Sequence, residues 1–531
     1  MNFDVIIRNA VVVDGTNSPW FKADVGILNG RIDFVGKIPL EATGKEEVDA
    51  KGKVLCPGFI DGHTHADFVL LQDPLMLSKL KQGVTTQIIG QCGISPAPVT
   101  DDKVEMLDQY VGFFKGGTTL DWTWRSFGGW LDKLETLNLG TNIGACVGQG
   151  TVRLAVMGFE NRQPTQDEME KMRAYVEEAI DSGAFGLTSG LIYPPGVYSS
   201  PEELCALTTA LKKKNALYLS HMRSESGAVV ESVMETIDIG HKNNIPVQIS
   251  HHKAAGKMYW GLVRTTLQKV DEARANGVDV TLDLYPYDYS STTLRAILPA
   301  WIQEGGLQKL NERLADPSVR KQVIGEIKTD TSWDNYYLLG GGSEGITLLY
   351  TPKTPECEGK TLSEVGELMG KSPIEAAFDI IVANGGSDTV CYNAMSEDDV
   401  QYVMKHPAAM FVSDSIFGAS GGKSHPRTFG TNPRVLCKYV REEKVLTIEQ
   451  AVWKMTGFPA ARYGLQTKGI IREGMDADIV IFDPETVKDK ATIENPQQDP
   501  EGIEYVFVNG VKIVEKGVCT GKTAGRVLRK K

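Results

Sequence analysis

Two rhythms of apolar and polar residues divide the chain. At both ends, apolar and polar positions alternate, as in "FDVIIRNAVVVDG", "ADVGILNGRIDFVG" and, late in the chain, "IEYVFVNGVKIVEKG". A period of two lines one face of a strand, and the NG and DG pairs between the runs are hairpin signals. Two β-rich ends around a long middle predict one small β-sandwich domain built from residues 1–56 and 466–531. The middle behaves differently. Short apolar runs ("VTTQIIGQCG", "NIGACVGQG", "AFGLTSG", "ALYLSHMR", "PVQISHHK", "VDVTLDLYPY", "AAMFVSDS") alternate with amphipathic stretches such as "PTQDEMEKMRAYVEEAIDSG" and "SPEELCALTTALKKKN". The amphipathic stretches open on Ser or Pro start signals and acidic first turns. Strand and helix repeated in this way mean βα units on a parallel sheet.

With "VLCPGFIDGHTH" counted first, the strands number eight, which closes a (β/α)8, TIM-like barrel. The fold class is α/β, with the barrel over residues 57–465. About 120 residues part the seventh and eighth strands, and helical pieces there predict an insertion over the barrel mouth, at about residues 292–350.

Composition removes several classes of function. Hydrophobic residues at 41% and charged residues at 23% are ordinary for a globular protein. No run of 18 apolar residues occurs, so no spanning helix is expected. The N-terminus reads as a strand rather than a signal peptide, and the expectation is a cytoplasmic protein without a membrane partner. A net charge of −12 argues against a nucleic-acid partner. The closing "RVLRKK" reads as a solvated terminus. The eight cysteines are scattered with no CxxC pair, which predicts reduced, mostly buried thiols.

Barrel enzymes carry their reacting groups at the C-terminal ends of the strands. Those ends hold His63 and His65 on strand one, Cys92 in "GQCG" on strand two, His221 in "SHMRSE" on strand five, His251 in "ISHHK" on strand six and Asp414 in "VSDS" on strand eight. Each alone has a bland reading: a hydrogen-bonded histidine, an inert thiol, a helix-capping aspartate. Together, four of the eight histidines, a thiol and a carboxylate at one rim are the ligand types of a zinc site. They suffice for two metals, or for one tight and one loose. His252 points to the opposite face from His251. His241, in a helix-like run, and His406, before a proline, read as structural or exposed.

"GFIDGHTHAD" resembles the strand-one signature of the amidohydrolase superfamily, and "MTGFPAARYGLQTKGIIREGMDADIVIFDP" resembles its return into the small β domain. "GQCG", "SGLIYPPG", "HMRSE", "ISHHK" and "FGTNPRVL" narrow the resemblance to the D-aminoacylases, the N-acyl-D-amino-acid deacylases. That resemblance implies one Zn2+ held tightly by Cys92, His221 and His251, and a second, weaker position framed by His63, His65 and Asp414. It implies Asp414 as general base and then general acid. Many superfamily relatives bridge two metals with a carboxylated lysine. No lysine stands at the end of strand four, "FGLTSG", and a soft thiolate in its place suits zinc.

Lys253, Tyr285, Ser291 and Arg427 match the positions that hold the substrate carboxylate in the family, with Tyr193 nearby. Arg223 and Glu225 flank a ligand as candidate orienting partners. Arg295, near the insertion, could face an acidic substrate side chain, but the preferred reading is a solvated arginine. Gln149 stands where the family often has His. The expected partner is a small-molecule N-acyl amino acid, and the D configuration rests on the resemblance alone. The rival readings are a cyclic-amide hydrolase of the dihydropyrimidinase or dihydroorotase kind, which a strand-four lysine would favour, and a non-catalytic barrel assembly protein, which should have lost ligands.

Overall fold

A computed structural model describes residues 1–115, 117, 119–417 and 423–531. Eight parallel strands, one to eight in chain order, form its centre: Phe59–Asp61, Val84–Ile89, Asn142–Ala145, Gly186–Gly190, Leu217–His221, Val247–Ile249, Val280–Leu284 and Ala409–Phe411. Every residue in them is buried, as a parallel sheet covered by helices requires. Strand three reaches strand four through Val147–Gly148, which pair with Leu187 and Thr188. The ring closes between strands eight and one. Thr64 bridges Ser415 in parallel, the His65 N–H donates to Ser415 O at 3.0 Å, and the Asp414 N–H donates to His63 O at 2.8 Å. Candidate ligands from the two ends of the barrel sequence therefore meet at one seam.

The helices form where the sequence marks them. Gln166–Ser182 begins at a capping box exchanged by Thr165 and Glu168 and ends at Gly183, whose φ of +111° favours glycine. Its buried residues, Met172, Val176, Ala179 and Ile180, form one stripe facing the barrel core.

Both chain ends share one nine-stranded sheet. Val54–Pro57 and Ile479–Phe482 join the two halves antiparallel, with Cys56 opposite Val480. Asn2–Val12 forks the sheet, because its first half pairs with Thr43–Asp49 and its end with Val54 and Leu55. The NG hairpins are present: Asn29–Gly30 and Asn509–Gly510 all have positive φ, between +48° and +80°, as a tight primed turn demands.

Between strands seven and eight, Ser290–Thr292, Ile346–Tyr350 and Thr389–Tyr392 form a three-stranded antiparallel sheet. Helices pack on it around a separate apolar core that draws on residues from Leu294 to Ala394.

The tail departs from expectation. "RVLRKK" is a strap rather than a solvated end: the Ile143 N–H donates to Arg526 O at 2.8 Å, the Leu528 N–H to Ile143 O at 2.7 Å, and the Lys530 N–H to Gly183 O at 2.9 Å. Backbone groups at the starts of strands three and four need partners, and the tail supplies them. Arg529 adds ion pairs to Asp132 and Glu135. All eight cysteines are free thiols, six of them buried. Among the described residues, no helix is long and apolar enough to cross a membrane.

Candidate metal centre

The strand ends bring the candidate ligands together as two overlapping groups: His63, His65, Cys92 and Asp414, and Cys92, His221 and His251. In each group the donor atoms lie within 4.8 Å of one another and every residue is buried. Cys92 Sγ is 3.3 Å from His63 Nε2 and 3.4 Å from His251 Nε2. Asp414 Oδ1 is 3.2 Å from His65 Nε2 and 3.4 Å from His63 Nε2.

Unusual backbone aims these side chains inward. Cys92, His251 and Asp414 have φ of +52°, +35° and +48°, values that persist in non-glycine residues only where the surroundings fix them. The His251 N–H donates to Asp283 Oδ1 at 2.6 Å. Gly90 precedes the Cys92 bend at φ +78°, and a β-carbon there would lie 1.9 Å from Cys146 O. The first glycine of "GQCG" is thus sterically required.

The donor set fits a metal. Neither ring nitrogen of buried His221 has a hydrogen-bond partner among the described residues, nor does His63 Nδ1, and an unpartnered buried imidazole is costly unless a ligand satisfies it. Burial pushes the Cys92 thiol up, but charge on His63 and His251 holds it well below its ordinary value, favouring the thiolate. His251 Nδ1 lies 2.8 Å from Glu225 Oε1, the outer carboxylate contact that commonly orients a ligating imidazole. Burial raises the Glu225 carboxyl, yet Lys253 and His251 hold it well below the usual range.

Of the expected substrate binders, Tyr193, Lys253, Tyr285 and Ser291 line the same small chamber, of about 20 Å³, while Arg427 is not in its lining and lies against Asp414. Lys253 Nζ donates to Glu225 Oε1 at 2.6 Å and lies 2.9 Å from His251 Nδ1. Arg427 pairs with Asp414 Oδ2 at 2.9 Å and stacks its guanidinium 4.5 Å from the Tyr285 ring centre. Burial raises the Asp414 carboxyl, and Arg427 and His65 overcome that to hold it well below the usual range. Tyr193 Oη lies 2.8 Å from Thr292 Oγ1, and its ring meets His221 edge-on.

Other candidates fall elsewhere. Arg223 faces away, onto Glu235 and Ser199 O. Gln149 donates to Ser199 Oγ at 2.7 Å and to Glu203 Oε1 at 3.1 Å, not to a candidate ligand. His252 bonds Thr266, His406 contacts Asp271 and His241 is exposed.

Arg295 corrects the preferred solvated reading. Its Nε is buried without a partner, and the side chain lines a cavity of about 290 Å³ with Tyr110, Phe113, Phe159 and Leu298. Tyr193 borders both this cavity and the chamber. The sequence reading also missed Tyr336, whose Oη donates to Glu225 Oε2 at 3.0 Å from within the insertion. It missed Asp283 as well, although a carboxylate inside the apolar run "VTLDL" is a visible signal.

Comparison with known proteins agrees with this arrangement. The amidohydrolase family model matches residues 46–514. D-aminoacylase of Alcaligenes xylosoxydans xylosoxydans is 35% identical over 530 residues, covering 99% of this chain and 97% of that protein. A solved D-aminoacylase structure, described for its binuclear metal centre with one-metal activation and second-metal attenuation, is 34% identical with a TM-score of 0.83, covering 99% of this chain and 100% of that one. N-acyl-D-glutamate deacylase from Bordetella bronchiseptica, solved with zinc and a phosphonate mimic of the tetrahedral intermediate, is 32% identical with a TM-score of 0.84 and full coverage of both chains (100% each). The chain belongs to the amidohydrolase family, among the D-aminoacylases.

Proposed function

We propose that this protein hydrolyses the amide bond of N-acyl-D-amino acids, releasing a carboxylate and a free D-amino acid. Cys92, His221 and His251 would hold Zn2+ tightly, and His63, His65 and Asp414 would frame a second, weaker position. The observation that carries this reading is the pair of donor groups sharing Cys92 beside the cations Lys253 and Arg427. Three protein donors leave a coordination position open, the arrangement of a catalytic rather than a structural zinc. Bound there, zinc supplies polarisation of the amide carbonyl and acidifies a neighbouring water. Asp414, kept ionised, accepts the attacking water's proton at its carboxylate and returns it to the leaving nitrogen. Lys253, Tyr285, Ser291 and Arg427 bind the substrate carboxylate, with Tyr193 beside them on Thr292.

The same proposal divides the chain into a small sandwich (1–56 and 466–531) and a barrel (57–465), with the insertion expected at about residues 292–350 carried on to Ala394, the last residue of its apolar core. The forked sheet and the separate insertion core support that division. A cytoplasmic site of action accords with eight free thiols. A cyclic-amide hydrolase is disfavoured because strand four, "GLTSG", offers no bridging lysine.

A hydrolysis screen of N-acetyl and N-formyl D- and L-amino acids, with metal analysis of the purified protein, tests the reading. D substrates should turn over and L substrates should not, with zinc bound. Preference for L or cyclic amides, or full activity in metal-free protein, would count against it.

Arg295 refines the substrate. The Arg295 Nε is buried without a hydrogen-bond partner in the cavity wall, with Asp388 as an electrostatic neighbour; an anionic side chain of the substrate would satisfy it, and a relative with the same fold is an N-acyl-D-glutamate deacylase. N-acetyl-D-glutamate or N-acetyl-D-aspartate should therefore be preferred over N-acetyl-D-leucine. Arg295→Leu should lower kcat/KM on the acidic substrate by about 10- to 100-fold, the scale of a charge-assisted hydrogen bond, and leave the leucine substrate nearly unchanged. Equal losses on both substrates would show that Arg295 does not read the side chain.

A further inference from the structure

We propose that Lys79 is a positioning residue for Asp414, acting through Ser413 and Ser415 across the seam that closes the barrel. The inference rests on Asp414 being the general base. Lys79 lies on the short helix Leu77–Leu80, which comes after strand one, and is fully buried. An ammonium has three N–H donors, and all three are used: Asp61 Oδ2 at 2.8 Å, Ser413 Oγ at 2.7 Å and Ser415 Oγ at 2.6 Å. Asp61 ends strand one, two residues before His63, and also accepts the Ser413 N–H at 2.9 Å and the Ser413 hydroxyl at 2.5 Å. Ser415 Oγ donates in turn to Ser413 Oγ at 2.7 Å.

The two serines bracket Asp414, whose φ of +48° is an uncommon conformation for aspartate. Anchors on both sides, with the Asp414 N–H on His63 O, leave its carboxylate one direction to point. Its Oδ1 then faces His63 and His65 and its Oδ2 faces Arg427. A lysine–aspartate pair that only stabilised the barrel could bond any backbone of the seam. This one contacts the two residues that flank the candidate base. Lys79 does not line the chamber, and two of its three hydrogen bonds go to the residues on either side of Asp414.

The test compares Lys79→Met and the double variant Ser413→Ala/Ser415→Ala, each with and without Asp414→Asn. Lys79→Met should lower kcat on an N-acyl-D-amino acid by about 100-fold, within the range of general-base catalysis, with KM changed less than about threefold. The double variant keeps the Lys79–Asp61 pair and should lose about 10-fold. In the Asp414→Asn background, Lys79→Met should add almost nothing, because residues acting as one unit are not additive. In a zinc titration followed by calorimetry, the tight position should stay filled and the weaker one should lose about 10-fold in affinity.

If Lys79→Met does not fold, the serine variant carries the test alone. Unchanged kcat in the folded variants overturns the proposal, as does a full additional loss in the Asp414→Asn background. A fully active Asp414→Asn protein removes the general base itself, an outcome distinct from failure of the Lys79 link.

Discussion

Cys92→Ala should yield folded protein that retains little zinc and has lost more than about 100-fold in kcat/KM, since even outer partners of a metal site are worth 10- to 100-fold. Cys92 belongs to both donor groups, so this one change reduces the tight group to two histidines and takes the thiolate from the other, which keeps His63, His65 and Asp414. The remaining histidines, His221 with His251 and His63 with His65, would no longer share an anionic donor. Charge balance points the same way. Buried Cys92 is held toward the thiolate by His63 and His251, and without it the imidazoles face one another with the carboxylates of Asp414, Glu225 and Asp283 as counter-charges. Cys92→Ser should behave like alanine, because a neutral hydroxyl is a poor substitute for a soft anionic ligand. The backbone loses nothing specific, since φ at Cys92 is already +52° and alanine bears the same strain. Metal analysis, circular dichroism and steady-state kinetics on one preparation decide the matter. Stoichiometric zinc and wild-type turnover in folded Cys92→Ala would sink the shared-ligand reading.

The barrel and the meeting of the candidate ligands at its rim were legible for a physical reason. Parallel strands buried on both faces appear as unbroken apolar runs, and the fold carries the C-terminal end of every run to the same rim. His63, Cys92, His221, His251 and Asp414 are far apart in sequence but equivalent in that scheme. Contacts made from outside the scheme left no trace. Tyr336 reaches Glu225 from the insertion, 111 residues away, and Lys79 reaches Ser413 across 334. No period or spacing connects such pairs.

Arg295, with its buried Nε, and the half-buried basic tail are both less solvated than expected, and in both the charge misleads. A guanidinium is expensive to bury, which favours a solvated Arg295, yet its Nε is buried without a hydrogen-bond partner in the wall of a cavity. The charge of the tail likewise favours solvation, yet its backbone rather than its side chains carries most of the attachment to the barrel. Gln149 shows the limit of reasoning by position: its amide serves Ser199 and buried Glu203, itself paired with Arg153, and reaches no candidate ligand.

Asp414→Asn should separate metal binding from proton transfer. The tight position proposed above draws on Cys92, His221 and His251, which form one candidate donor group and do not change, so the variant should retain zinc. Its kcat should fall by about 10²- to 10⁴-fold, the range of general acid–base catalysis. Asparagine is nearly the same size and can occupy the +48° backbone that aspartate and asparagine tolerate better than other residues, so folding should survive. The variant lacks the proton acceptor, together with the charge that pairs with Arg427 at 2.9 Å. That second loss has its own signature. Arg427, freed from Asp414, becomes fully available to the substrate carboxylate, so KM should hold steady or fall while kcat collapses. A rise in KM with kcat preserved would instead make Asp414 a binding residue, and the water's proton would need another acceptor. Glu225 is poorly placed for that role, because its oxygens are already taken by Lys253, His251 and Tyr336. Among the buried carboxylates beside the candidate ligands, Asp414 is the one whose Oδ1 contacts only imidazoles that a second metal would itself engage. If Asp414 is both the base and part of the weaker metal position, as proposed, the two roles would compete for its carboxylate, and added zinc should inhibit the wild type at concentrations that leave Asp414→Asn unaffected.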